Sequence, residues 1–217
     1  MDYFNQQSAD EIAEGMVEEI LGGINGTDIK AGIIKVAIDS MDSASDCKLL
    51  EAAAIAQLET GVDITTHTCL LDVRSEVLNY LERAGVDHSR IHLGHAGAKS
   101  DIAESVSLAK RGCNLIYYTI WGKTNPVPIG WNKGPLTKHH SAYIVKTMVD
   151  EGYSYRVPVS VDYAVSRFLD EKLESYLYDI PDRTSLYAFT FIVPSLLNVG
   201  VGREEIDKIM RVNSRKM

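Results

Sequence analysis

The feature that most constrains this chain is a short β-branched run that ends on a histidine and then occurs a second time. Ile64-Thr65-Thr66-His67-Thr68 follows Gly61 and reads as a buried strand. Its end is polar where an apolar strand should stop. Arg90-Ile91-His92-Leu93-Gly94-His95 repeats the arrangement, again a short strand finishing on histidine. A lone histidine is usually satisfied by local hydrogen bonds, but two at the ends of successive strands suggest a shared site. In a parallel α/β sheet or barrel, the carboxyl ends of neighbouring strands open onto one face.

The rest of the chain supports such a sheet. Ser8-Ala9-Asp10-Glu11 has the form of a capping box, and Ile12, Met16, Ile20 and Leu21 follow at helical spacing before Gly22 and Gly23. Ala31 to Ile38 reads as an apolar strand interrupted by Lys35, and a helix follows from about Ser45 to Thr60, closed by Gly61. After the His67 strand the pattern predicts a helix from Leu71 to Ala84, closed by Gly85. After the His95 strand it predicts one from the cap Asp101 to Arg111, closed by Gly112. Asn114 to Tyr118 is the next strand, and a loop with Trp121, Lys123 and Trp131 leads to a helix over His139 to Glu151. Arg156 to Ser160 is the last strand, followed by Asp162.

Strand, loop, helix, glycine, strand is the order that right-handed crossovers need to build a parallel sheet. Five such strands match part of a (β/α)8 barrel, whose full form usually takes about 250 residues. The 217 residues, 45% of them hydrophobic, suit one domain over residues 1–217. An incomplete barrel should be an open, curved sheet with bare edges on the Lys35 strand and the Arg156–Ser160 strand. Ile33, Ile64 and Ile116 should then be poorly covered, and the chain should self-associate through those edges.

A formal net charge of −8 argues against nucleic acid or an anionic membrane as partner and leaves a small-molecule substrate. No apolar run approaches the ~20 residues of a membrane span, and the first residues lack the form of a secretory signal. Cys47, Cys69 and Cys113 have no metal-binding spacing and cannot all pair internally, so reduced thiols in a cytoplasmic protein are expected.

Lys35, His67, His95 and Asp162 each fall at or near the C-terminal end of a different predicted strand. Two imidazoles and a carboxylate converging on one pocket suit a divalent transition metal such as zinc. An ammonium has no lone pair to give a metal, but a buried lysine can lose its proton. With carbon dioxide it then forms a carbamate, which can bridge two metals as a carboxylate does. A Schiff-base lysine is the rival chemistry, and it leaves His67, His95 and Asp162 without a purpose.

Ala31-Gly32-Ile33-Ile34-Lys35-Val36-Ala37, Thr65-Thr66-His67-Thr68, Gly94-His95 and Val159-Ser160-Val161-Asp162-Tyr163 together resemble the phosphotriesterase family of the amidohydrolase superfamily. Gly85-Val86-Asp87 before Arg90-Ile91, and Gly200-Val201 before Glu204-Glu205-Ile206, are similar to that family as well. The resemblance implies a (β/α)8 TIM barrel holding two divalent metals, commonly zinc, and a bridging hydroxide. Lys35 would be the carbamylated bridging lysine, and His67 and His95 would hold one metal. Asp162 would bind the other metal and take the proton from the attacking hydroxide. The activity implied is hydrolysis of a lactone, such as a phosphorylated sugar lactone, or of a phosphoester.

The chain departs from the family at two places. It contains no His-x-His motif, and His139-His140 are adjacent. By the motif alignment Lys35 stands on the fourth strand, so the expected chain lacks the first three strands and holds at most one metal tightly. The alternative is an inactive fragment or a subunit that needs a partner chain. Asn213-Ser214 stands where the family usually has Asn-Pro. Arg167 and Arg183 fall after the last strand and Lys138 before it, where barrels often bind phosphate. They are the expected substrate-binding residues.

Overall fold

The computed structural model describes residues 4, 6–68, 71–96, 102–118, 140–161 and 186–213. Helix α1 (Ala9–Val17) starts at the expected capping box: Ser8 Oγ accepts from the Glu11 amide at 3.2 Å, and Glu11 accepts from the Ser8 amide at 2.8 Å. The helix widens over Glu18–Gly22 and stops at Gly23, whose φ is 119°. Only glycine fits there, because a Cβ would lie 1.9 Å from the Thr27 carbonyl oxygen.

The strands are β1 (Ile34–Ala37), β2 (Ile64–His67), β3 (Ile91–Leu93), β4 (Asn114–Leu115), β5 (Tyr117–Tyr118) and β6 (Val159–Ser160). Between them run α2 (Ala44–Thr60), α3 (Leu71–Arg83), α4 (Ile102–Lys110) and α5 (His140–Asp150), with α6 (Val193–Asn198) and α7 (Arg203–Asp207) following. β1, β2, β3 and β4 pair in that order and all in parallel, and β5 pairs in parallel with β6. The single strand predicted over 114–118 is divided between two neighbours. Ile116 donates to the Leu93 carbonyl at 2.9 Å, whereas Tyr117 donates to the Pro158 carbonyl at 3.1 Å. The five expected strands therefore lie side by side in chain order.

The last strand is shorter than the predicted 156–160. Ser154–Arg156 form a 3₁₀ turn, and Pro158, with a fixed φ and no amide proton, restricts Val157 before it. Among the described residues no helix is long and apolar enough to cross a membrane.

The two faces of the sheet differ. Ile34, Val36 and Ile38 are buried under α2, on which α1 packs, while Ile33, Lys35 and Ala37 are exposed on the other face. Register carries these faces across: Ile34 lies beside Ile64 and Ile64 beside Ile91, whereas Lys35 lies beside Thr65, Thr65 beside His92 and His92 beside Asn114. Of the three residues expected to be poorly covered, only Ile33 is so, at 36% exposure. Ile64 and Ile116 are 0% and 3% exposed. Ile64 belongs to the helix-covered face, and Ile116 lies where the chain is paired on both sides.

Candidate functional site

Ala37 and His67 are register partners at the ends of β1 and β2, so His67 rises on the exposed face two residues above Thr65. β3 stops at Leu93, and His95 follows Gly94 with φ 55°, a left-handed conformation uncommon outside glycine. That turn brings the two rings together. His95 Nε2 is 2.8 Å from His67 Nδ1, with ring centroids 4.2 Å apart and planes at 70°.

The threonines around His67 tie the two strand ends together. Thr66 and Thr68 are fully buried, and their hydroxyls are 2.9 Å apart. Thr66 Oγ1 accepts from the Gly94 amide at 3.3 Å, and Thr68 Oγ1 donates to the Gly94 carbonyl at 3.4 Å. Both backbone groups of Gly94 are thereby held, by Thr66 of β2 and by Thr68 just past it, and the residue after Gly94 is His95.

Sequence reasoning missed Arg74. It is 1% exposed, on α3, and donates from Nε to the Thr68 carbonyl at 3.1 Å, from Nη2 to the His95 carbonyl at 2.6 Å and from Nη1 to Glu104 at 3.3 Å. One planar fork holds the residue after His67, His95 itself and α4. The available signal was spacing, because Arg74 falls on the stripe with Val77, Leu78 and Leu81, all 0% exposed. A charge on an apolar stripe marks a buried pair.

Lys35 shares the face of Thr65 and His92 and donates from Nζ to the Thr66 carbonyl at 3.1 Å. It is exposed, not buried as the carbamate reasoning supposed, and it lies on β1, the end strand of the four-stranded sheet among the described residues. Thr65 Oγ1 on this face is buried and has no hydrogen-bond partner.

Two further histidines lie on or next to β3. Alternation from a strand running to His95 would send His92 to the helices, but it shares the face of Thr65 and Lys35, is 3% exposed and bonds Asp63 through Nε2 at 2.7 Å. Burial pushes its pKa below the usual 6.5, against the opposing pull of the Asp63 hydrogen bond and charge. His88 lies on a 3₁₀ turn with its side chain 21% exposed, where Nδ1 meets the Arg111 carbonyl.

Asp162, Lys138, Arg167 and Arg183 lie outside the described residues, as do Lys123, Trp121, Trp131, Tyr163 and Cys69. Among the described residues no group of three His, Cys, Asp or Glu side chains could hold a metal ion. The two imidazoles nevertheless fit as part of a metal centre. Two nitrogens at zinc distances of ~2.0–2.1 Å in a tetrahedron stand about 3.3 Å apart, so a cation needs the present pair to open by about half an ångström. Lys35 on the same face and Asp162 just past β6 are the sequence-predicted source of further donors.

The phosphotriesterase family model matches residues 3–217. The phosphotriesterase homology protein of Escherichia coli is 31% identical over 209 residues, covering 95% of this chain and 65% of that protein. The aryldialkylphosphatase of Saccharolobus solfataricus is 30% identical over 217 residues, covering 99% of this chain and 66% of that protein. The chain thus spans just under two thirds of the length of these curated relatives. The crystal structure of the E. coli protein, with phosphate in its active site, superposes with a TM-score of 0.81 at 27% identity, over 100% of this chain and 69% of that one.

Proposed function

Because the chain belongs to the phosphotriesterase family, we propose that the C-terminal end of its sheet is a metal-dependent hydrolytic centre acting on a lactone or a phosphoester. The observation that carries this reading is the 2.8 Å approach of His67 Nδ1 to His95 Nε2 at the ends of adjacent strands. A lactone, including a phosphorylated sugar lactone, is the favoured substrate on the family resemblance. A phosphoester is supported by the aryldialkylphosphatase relative.

His67 and His95 would hold the metal, zinc being the expected ion, and Lys35, if carbamylated, would supply oxygen donors. A divalent metal there supplies Lewis acidity and lowers the pKa of a water to about 7. The chain's own residues do the remaining work. Thr66, Thr68 and Arg74 fix His95 relative to His67, and preorganisation of this kind keeps the donors from having to rearrange during reaction. Asp162 receives the proton of the attacking water. Arg167, Arg183 and Lys138 orient an anionic substrate. The site's place is the cytoplasm in this reading.

Elemental analysis of the purified chain, with and without His67→Ala, tests the centre independently of activity. One zinc equivalent that disappears in the variant is expected. An equivalent untouched by His67→Ala refutes the ligand assignment. The same preparations, offered a δ-lactone and an aryl dialkyl phosphate, then separate the two substrate classes.

A further inference from the structure

A cavity of 440 Å³ opens at the opposite end of the sheet, lined chiefly by Asp63, Arg90, His92, Asn114, Arg156 and Asn213. Asp63 precedes β2 and His67 ends it, so the cavity floor is roughly 13 Å from the histidine pair at ~3.3 Å per residue. Three polar atoms belonging to these lining residues are buried without a hydrogen-bond partner: His92 Nδ1, Arg156 Nε and Asn213 Oδ1. Their residues are 3% exposed for His92 and 4% for Asn213, with Arg156 half-buried. Buried polar atoms are nearly always satisfied, so three around one cavity ask for an occupant.

The chemistry of the three atoms defines that occupant. Asp63 accepts from Arg90 Nη1 at 3.0 Å and from His92 Nε2 at 2.7 Å. The imidazole proton is therefore on Nε2, and Nδ1 presents a lone pair. Asn213 donates from Nδ2 to the Ser154 carbonyl at 2.8 Å, which turns its Oδ1 away as a second bare acceptor. Arg156 binds Asn114 only at 3.4 Å through Nη1, so Nε–H is an unused donor. Two guanidinium groups face one carboxylate, leaving an excess of one positive charge.

The geometry points to a binding site here for a small oxyanion that carries its own hydroxyl group. The anionic oxygens accept from Arg156, and the O–H donates to His92 Nδ1 or Asn213 Oδ1. Acetate and sulfate satisfy the guanidinium and set lone pairs against the two acceptors. Glycolate and hydrogenphosphate satisfy both. Water satisfies the acceptors and leaves the charge unbalanced. The site is independent of the hydrolytic centre and does not rest on the reading of that centre.

Calorimetric titration of the full chain with glycolate, hydrogenphosphate, acetate and sulfate is the test, on the wild type and on Arg156→Met, Asn213→Leu and His67→Ala. One site per chain for glycolate, hydrogenphosphate or both is expected, with acetate and sulfate at least about tenfold weaker. If only one of the two hydroxylated anions binds, the site stands and its ligand class is named. Arg156→Met, which loses the long bond to Asn114 and the guanidinium contact over the Tyr155 ring, should weaken binding about tenfold or more while remaining folded by circular dichroism. His67→Ala should leave binding unchanged. Equal binding of all four anions, binding indifferent to Arg156→Met, loss with His67→Ala, or no heat at millimolar ligand would each overturn the assignment.

Discussion

We predict that Arg74→Met destabilises the fold and that adding Glu104→Leu restores stability without restoring metal binding. Arg74 is 1% exposed and Glu104 16% exposed in its side chain, and their 3.3 Å pair joins α3 to α4. Removing one partner of a buried pair typically costs ~3–5 kcal/mol, because the remaining charge is left without its partner. Replacing both by apolar side chains of similar volume is often neutral. The single variant should therefore lose ~3–5 kcal/mol in urea unfolding, and the double variant should recover most of it. Neither recovers the guanidinium bonds to the Thr68 and His95 carbonyls at 3.1 and 2.6 Å. Groups that orient metal ligands are commonly worth about 10–100-fold in affinity, so the folded double variant should bind zinc that much more weakly. The assays are a urea midpoint with unchanged slope and a competitive zinc titration. A double variant that regains both stability and wild-type zinc affinity would show that Arg74 holds the fold and does not position His95.

Four further outcomes follow from other parts of the molecule. Partial burial pushes the Asp46 carboxyl up, but hydrogen bonds from the Asp39 and Ser40 amides and the Ser43 and Ser45 hydroxyls outweigh it and hold it below its ordinary 3.8. That stabilisation is present above 3.8 and lost as pH falls through the lowered value, so Asp46→Asn should cost about 1–2 kcal/mol at neutral pH and little near pH 2. Equal costs at both pH values would contradict it. The depressed pKa of His92 has the opposite origin, a neutral buried ring, so His92→Gln should flatten the part of the stability profile that falls as pH drops below 6.5. Burial pushes the Cys113 thiol up to about 12, so iodoacetamide at pH 8 should label half-buried Cys47 and spare Cys113 until the chain unfolds; equal labelling by mass spectrometry would refute this. We also propose self-association through the exposed edge at β1, where Ile33 is 36% exposed. Light scattering should show oligomers that Ile33→Lys reduces, and a monomer at high concentration would refute the idea.

The parts of the fold written in local chemistry were legible. The first helix starts at the Ser8 capping box, and α2 ends where Gly61 takes φ 73°. The strand that ends on His67 was legible because β-branched residues before a polar stop have few other readings. What required a third dimension was misread. Strand alternation carried through to His95 makes it share a face with Leu93 and sends His92 to the helices. The strand in fact stops at Leu93, and the left-handed turn at His95 returns its ring to the side of His67, so alternation cannot be extrapolated past Gly94. Arg74 was passed over for a related reason. Its partners Thr68, His95 and Glu104 are remote in sequence, and only the folded chain sets them around one side chain.

Register is what joins the two ends of the sheet. β2 is entered from Asp63, which holds Arg90 and His92 at one end, and it finishes on His67, which meets His95 at the other. β3 is locked against β2 by both sets of contacts and by the threonine bonds to Gly94. A slip of one residue would place Ile91 or Leu93 on the open face and His92 among the helices. The Asp63–His92 bond therefore acts as a register pin for the histidine pair, although the two are separated by most of a strand. Asp63→Leu with His92→Leu tests this, because it swaps the polar pin for apolar volume. If the pin sets register, the double variant should fold with reduced unfolding cooperativity and lose zinc even though His67 and His95 are intact. Full zinc affinity in that variant would show that the Thr66, Thr68 and Arg74 contacts hold the register without it.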